Sequence, residues 1–286
     1  MMYVMTGDKG LIASSLKKRL EKQGSKCILG MDLREGKDIC KDLKSKKCEA
    51  DMMFHIAAQC KINKCISDPD WAFENVMGIH QSLEFCRKNN IKKIVAFSSS
   101  RVLSPERNTY TASKIYLEEL CKAYYNCYGI KYIIIRPSTV YGPFDDKTHR
   151  LVDLWIRAAL RGNDLKIYGD PKTKTLDFTF IDDFVDGVIL TLKNKKWNEE
   201  YNLSGGEEYN LNKLAKFIIK ETGNKSRHIL NSQRSSKIKI MPIEKQQPQQ
   251  VNVDISKMKD IGYKPKVTLE EGIKKTIKFY IDEKLK

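Results

Sequence analysis

A tyrosine and a lysine four residues apart, in the run Tyr110-Thr111-Ala112-Ser113-Lys114, are the pair in this chain best suited to moving a proton. On a helix that spacing puts both side chains on one face, a turn apart. A free phenol is too weak an acid to work near neutral pH, and a neighbouring ammonium favours its ionised form. Upstream, the apolar run Ile94 to Phe97 ends in Ser98-Ser99-Ser100. A hydroxyl at a strand's carboxyl end, Ser100, could hydrogen-bond the same substrate oxygen as Tyr110. Taken alone, Tyr-x-x-x-Lys also occurs on many helices with no chemistry attached.

A second constellation is a phosphate cradle. Gly7-Asp8-Lys9-Gly10-Leu11-Ile12-Ala13 has the spacing Gly-x-x-Gly-x-x-Ala and sits between the apolar run Met2 to Thr6 and an amphipathic stretch. A helix N-terminus offers unpaired N–H groups and partial positive charge, and glycine lets the backbone approach a pyrophosphate. The small Ala13 would let the helix pack on the sheet. The same spacing also fits an ordinary tight strand-to-helix turn. Asp32 follows Gly7 by 25 positions at the end of the next apolar run, where a carboxylate can accept from both ribose hydroxyls and repel a 2′-phosphate. The cofactor expected is therefore NAD rather than NADP, with Arg34 the one nearby cation that could turn toward a 2′-phosphate.

These residues need a frame that brings strand ends together. Met2 to Thr6, Lys26 to Met31, Asp51 to Ile56, Ile94 to Phe97 and Lys131 to Ile135 are near-continuous apolar runs, as expected of strands buried on both faces of a parallel sheet. Helical patterns at Leu11 to Leu20, Trp71 to Lys88 and Thr109 to Tyr128 alternate with them. The fold class predicted is α/β, a Rossmann-type doubly wound parallel sheet with a smaller mixed α/β substrate-binding lobe. The dinucleotide-binding domain is expected over 1–148 plus roughly 177–203, and the lobe over roughly 149–176 plus 204–286. Residues 223 to 250 are polar and basic and read as a surface excursion.

Composition narrows the classes further. At 286 residues, 41% hydrophobic and 31% charged, the chain can bury a sizeable core and is neither fibrous nor disordered. It has no apolar run long enough for a membrane span and no secretory leader pattern, so the expectation is a cytoplasmic protein with no membrane partner. The eight cysteines form no Cys-x-x-Cys pair and the four histidines are scattered, so they read as reduced thiols with no metal site. The net charge of +16 favours anionic ligands such as nucleotides. Because the lysines spread along the whole chain, most read as a solvated surface, with nucleic-acid binding kept as a minor alternative.

The ordered motifs resemble the extended short-chain dehydrogenase/reductase superfamily, specifically its NAD-dependent epimerase/dehydratase family acting on nucleotide sugars. They are Thr6-Gly7-x-x-Gly10, Asp32, Asp38-Ile39, His55-Ile56-Ala57-Ala58-Gln59, Asn75-Val76, Ser98-Ser99-Ser100, Tyr110 to Lys114, Arg136-Pro137, Tyr141-Gly142-Pro143, Tyr168-Gly169-Asp170 and Asp177 to Asp183, followed by Tyr201 to Gly206 and Gly262-Tyr263-x-Pro265. The resemblance implies a cofactor site of Gly7, Lys9, Gly10, Leu11, Ile12, Asp32, Asp38, Ile39, Ala57, Ala58, Gln59, Ser98, Tyr110, Lys114, Pro137 and Ser138. It implies Tyr110 as acid/base, Lys114 as the group that binds the nicotinamide ribose and depresses the Tyr110 pKa, and Ser100 as the group aligning the substrate hydroxyl. Asn75 reads as a structural hydrogen-bonder.

The same resemblance bears on the reaction. The family's 4,6-dehydratases carry an Asp-Glu pair directly after the strand-end Ser or Thr, to remove water across C5 and C6; here Arg101 and Val102 stand there. That disfavours elimination and leaves a 4-epimerase, or a reductase of 4-keto-sugar nucleotides. Substrate contacts are expected from Ser100, Arg101, Tyr110 and Thr139. Thr139 and Leu176 replace the family's usual Asn and Arg at the diphosphate, and a Gln-rich run near Gln247 replaces a late Arg-Pro-Gly-Asp segment. Arg227 or Arg234 could supply the missing cation. A member that has become a nucleotide- or RNA-binding protein is the alternative of another class. A homodimer formed by pairing the helices near 71–88 and 109–128 into a four-helix interface is also implied.

Overall fold

The structure, a computed structural model, describes residues 1–230, 235–244 and 246–284, without the side chains of 224–230 and 283–284. In chain order the first half runs β1 (Met2–Thr6), α1 (Leu11–Lys22), β2 (Lys26–Met31), α2 (Ile39–Asp42), β3 (Met52–His55), α3 (Ile62–Ser67), α4 (Pro69–Lys88), β4 (Lys93–Phe97), α5 (Thr109–Tyr128) and β5 (Lys131–Pro137). The second half runs β6 (Thr139–Tyr141), α6 (Leu151–Leu160), β7 (Leu165–Tyr168), β8 (Thr175–Phe180), α7 (Ile181–Lys193), β9 (Glu199–Leu203), β10 (Glu208–Asn210), α8 (Leu211–Leu230), β11 (Ile238–Met241), α9 (Ser256–Asp260) and α10 (Leu269–Lys284).

The chain divides into two compact units. The first comprises Met1–Ser138, Phe184–Leu203 and Ile255–Tyr263. Its six-stranded sheet has the order β2-β1-β3-β4-β5-β9, with every neighbouring pair parallel. This is the doubly wound arrangement read from the alternating apolar runs. All of β3, nearly all of β1 and β4 and the Tyr132–Ile135 stretch of β5 are buried, which is why those segments are rich in Ile, Val, Met and Phe, whereas the edge strand β2 is only partly covered. One core layer gathers Val4, Met53, Ile79, Leu83, Ile94, Leu117 and Ile134. Burying a side chain of that size stabilises the fold by roughly 1.5–3 kcal/mol.

Strand order reverses between β1 and β3, so the turns after them open a crevice at the carboxyl edge of the sheet. Helix ends tune what is presented there. The Asn108 side chain caps α5 by accepting from the Thr111 N–H at 2.9 Å, and Gly129 in the left-handed region (φ 69°) closes its other end. Tyr110 is thereby fixed in the first turn of α5.

The second unit comprises Thr139–Asp183, Ser204–Asp254 and Lys264–Lys286. It has a three-stranded sheet β10-β8-β6 and a two-stranded parallel sheet β11-β7, packed with an aromatic cluster of Tyr141, Phe178 and Phe180. The excursion expected at 223–250 is partly regular: α8 continues to Leu230, and Ile238–Met241 pairs with Leu165–Tyr168. The central residues of β11, Lys239 and Ile240, are exposed, so the strand lacks the continuous apolar run that marked the others.

Candidate active site

The cradle after β1 is held by main-chain contacts that only glycine permits. Gly7 has φ +70°, and a Cβ there would lie 2.9 Å from both the Cα and the N of Ala57. The Thr6 hydroxyl accepts from the N–H groups of Ile56 and Ala57 at 3.1 and 3.2 Å, tying the turn after β1 to the turn after β3. Gly10 occupies the N-cap of α1 with no side-chain cap and no acid in the first turn, so the amides at Leu11, Ile12 and Ala13 open an anion-binding end. Asp8, the one acid in the turn, is buried against Gly30 and paired with Lys17 at 3.3 Å. Leu11 and Ala13 are buried, and Ile12 is half-buried.

Asp32 follows β2 directly and faces this cradle. Its two carboxylate oxygens accept from the N–H groups of Lys9 (3.0 Å) and Arg34 (2.9 Å), so the carboxylate bridges the glycine turn and the turn after β2. The Arg34 guanidinium donates to the Lys9 carbonyl at 2.5 Å, and the Lys9 ammonium pairs with Glu35 at 2.6 Å. Asp38 caps α2 by accepting from the Cys40 N–H at 2.8 Å, and Ile39 packs against the core. Ala57 is half-buried and Ala58 exposed after β3. The side chain of Gln59 donates to Glu74 at 2.6 Å, and its main chain is held at both ends by Asn75.

At the end of β4, Tyr110 and Lys114 are both buried. The Lys114 ammonium donates to the Phe97 carbonyl at 2.9 Å and lies 6.0 Å from the centre of the Tyr110 ring. Burial lowers the Lys114 pKa to about 8 and raises that of Tyr110 to about 12, the Cys60 and Cys65 thiols adding to the latter. The groups that draw the phenol down are the Ser99 hydroxyl and the charge of Arg101. The expected lowering of Tyr110 by Lys114 is not what the protein alone shows: burial raises the phenol, and the influences that oppose it come from Ser99 and Arg101.

Ser99 is the residue the sequence reading missed. Three consecutive serines at a strand end carry no signal of which one turns toward α5. Ser98 donates to Glu118 at 2.5 Å, while Ser99 accepts from the Arg101 N–H at 3.2 Å and is close enough to the Tyr110 phenol to favour its ionised form. Ser100 opens the 3-10 turn Ser100–Leu103 and is buried. Glu118, one turn beyond Lys114, is gripped by Arg136 through two bonds, at 2.8 and 2.5 Å, which joins α5 to the last residues of β5. Pro137 ends that strand, and the Ser138 N–H donates to the Leu203 carbonyl at 3.1 Å.

The structure therefore gathers Gly7, Lys9, Gly10, Asp32, Ala57, Ser98, Ser100, Tyr110, Lys114, Pro137 and Ser138 at the carboxyl ends of parallel strands of one unit. Thr139 begins β6 in the other unit, half-buried. Arg227 lies on the α8 backbone, its side chain outside the described residues, and Arg234 lies outside them altogether. A glycine turn, an uncapped helix N-terminus and a carboxylate at the next strand end fit a dinucleotide. A phenol and an ammonium of lowered pKa fit proton transfer beside it.

Comparison with known proteins finds relatives over most of the chain. The model of the NAD dependent epimerase/dehydratase family matches residues 3–204. A putative UDP-glucose 4-epimerase of Methanocaldococcus jannaschii is 29% identical over 87% of this chain and 82% of its own length. The dTDP-glucose 4,6-dehydratase of Haemophilus influenzae is 26% identical over 82% and 78%. The crystal structure of Bacillus cereus UDP-glucuronic acid 4-epimerase, with UDP-glucuronic acid and NAD, superposes with a TM-score of 0.83 at 25% identity, covering 99% of both chains. The chain belongs to the NAD dependent epimerase/dehydratase family.

Proposed function

We propose that this family member is an NAD-dependent nucleotide-sugar epimerase acting at C4 of the sugar. The observation that carries the reading is the buried pair Tyr110 and Lys114 set at the same sheet edge as the Gly7 cradle and Asp32. Bound NAD would supply a hydride acceptor and return the hydride to the opposite face. The Tyr110 phenol would take the proton of the hydroxyl being oxidised and give it back, helped by the Ser99 hydroxyl at its oxygen. Lys114, held on the Phe97 carbonyl, would orient the cofactor ribose and supply positive charge as the phenolate forms. Gly7, Gly10 and the first turn of α1 would hold the pyrophosphate, and Asp32 the adenosine ribose, in exchange for its bonds to the Lys9 and Arg34 amides.

Arg101 stands where an elimination would need an acid, which favours epimerisation over loss of water. A 4-keto-sugar reductase would use the same residues but exchange its cofactor at each turnover. The exposed aromatics Phe73 on α4 and Tyr116, Tyr125 and Tyr128 on α5 support a homodimer through these helices. Eight free cysteines suit the reducing cytoplasm, and among the described residues no helix is long and apolar enough to cross a membrane.

The test is product NMR on sugar nucleotides offered to purified protein without added reductant. Interconversion of two epimers by protein carrying its own NAD supports the proposal. Turnover only with added NAD(P)H would replace it with the reductase.

A further inference from the structure

Asn75 is buried on α4, and both polar atoms of its amide are engaged within the protein. Its Oδ1 accepts from the main-chain N–H of Gln59 at 2.7 Å, and its Nδ2 donates to the Gln59 carbonyl at 3.1 Å and to the Ser113 hydroxyl at 3.2 Å. Ser113 in turn donates to the Tyr110 carbonyl at 2.8 Å. One turn earlier on α4, Ala72 packs with Cys65 and Tyr110, and the Cys65 thiol reaches the Gln59 carbonyl at 3.7 Å. One amide therefore joins the turn after β3 to the stretch of α5 that carries Tyr110 and Lys114.

The turn that Asn75 grips also backs the glycine cradle. The Ala57 main chain fills the space beside Gly7, and its N–H is held by the Thr6 hydroxyl at 3.2 Å. Oxidising a carbon that bears a hydroxyl needs the hydride acceptor and the proton acceptor at a fixed spacing, and a misplacement of about 1 Å caused far from the chemistry can lower the rate about 100-fold. Because both N–H groups and the oxygen of the Asn75 amide are occupied, its influence on a reaction runs through the groups it holds. We propose that Asn75 is a positioning residue that sets the spacing between the dinucleotide cradle and the pair Tyr110 and Lys114. This rests on the epimerase reading and adds to it a residue that acts through Gln59 and Ser113.

The experiment changes Ser113, across the amide from Gln59, so that the turn after β3 keeps its own residues. Ser113→Ala puts a good helix former on α5 and removes one of the three bonds to Asn75. Two readouts on the full chain are compared with wild type. The first is hydrogen–deuterium exchange of the main-chain amides at 57–60. The second is kcat, KM and retained NAD with whichever UDP-, GDP-, CDP- or dTDP-hexose the wild type epimerises. The expected result is exchange at 57–60 about 5-fold faster, with kcat lowered about 10-fold and KM and retained NAD unchanged. Asn75→Leu, which removes all three bonds, should speed exchange further and lower kcat about 100-fold. If that variant does not fold, Ser113→Ala alone decides. Exchange at the wild-type rate in Ser113→Ala would show no coupling across Asn75, and faster exchange at wild-type kcat would show a structural tie alone. Either result overturns the inference and leaves the epimerase reading standing. A wild type that turns over none of these hexoses overturns the reading beneath it, and the exchange result still shows whether turn and helix are coupled.

Discussion

The ammonium of Lys114, on α5, donates to the main-chain carbonyl of Phe97 at the end of β4, at 2.9 Å. That bond places the charge one helical turn from Tyr110 and at the strand end that carries Ser98, Ser99 and Ser100. It also keeps a cation in a buried place, which has thermodynamic consequences that can be read without any substrate.

The Lys114 pKa is lowered by burial to about 8 from its ordinary 10.5. Between those values the unfolded chain binds a proton that the native protein does not, so stability rises with pH through this window. Below about pH 8 the native state carries the buried charge and bears its full cost. Lys114→Met removes the titration. Urea unfolding of both proteins should show the wild type gaining on the variant by about 3 kcal/mol from about pH 7.5 to above pH 10. A difference that stays flat with pH would show that the amine is solvated.

His55 works in the acid range. Its ring Nδ1 meets the hydroxyls of Thr6 (3.2 Å) and Ser82 (2.9 Å), and burial, with the charge of Lys114, lowers its pKa to about 3. The native ring stays neutral while the unfolded one charges below about pH 6.5, so stability is lost as pH falls from there toward 3. Relative to His55→Gln, the wild type should lose about 3 kcal/mol between about pH 6.5 and 4. Parallel stability profiles would contradict this.

Glu118 holds Arg136 and the Ser98 hydroxyl at once. Glu118→Gln leaves the half-buried Arg136 guanidinium only the more distant Glu200 carboxylate, at 3.9 Å, and should destabilise the fold by about 2–4 kcal/mol in chemical denaturation. The double variant Glu118→Leu/Arg136→Met should recover most of that loss, because neither charge then remains. If the single and double variants are equally unstable, shape rather than charge joins α5 to β5.

At Gly7 the left-handed backbone and the 2.9 Å approach to Ala57 both exclude a side chain. Gly7→Ala should lower stability by about 1–3 kcal/mol and abolish retention of NAD by the purified protein, measured after acid release. Full retention would mean that the cradle tolerates a shift of the Ala57 segment.

The sheet and the cradle were legible in the sequence because central parallel strands are buried on both faces, and residues such as Ile133, Ile134 and Ile135 announce this without regard to what lies opposite. Tyr110 and Lys114 were legible because helical periodicity is local. What escaped depends on partners distant in the chain. Nothing near Ser98 says that its hydroxyl is spent on Glu118, or that Ser99 draws down the phenol's pKa. Nor does Ile238-Lys239-Ile240-Met241 show that it pairs with β7. The balance at Tyr110, where burial outweighs nearby positive charge, is likewise set by packing that a spacing argument does not contain.

The central claim is that the Tyr110 phenol moves the proton in hydride-mediated epimerisation. Tyr110→Phe keeps the ring and removes only the oxygen, so the variant should retain NAD while epimer interconversion, followed by NMR on the substrate that wild type turns over, falls by about 100- to 10,000-fold. An NAD-loaded variant that interconverts epimers at the wild-type rate would contradict the account.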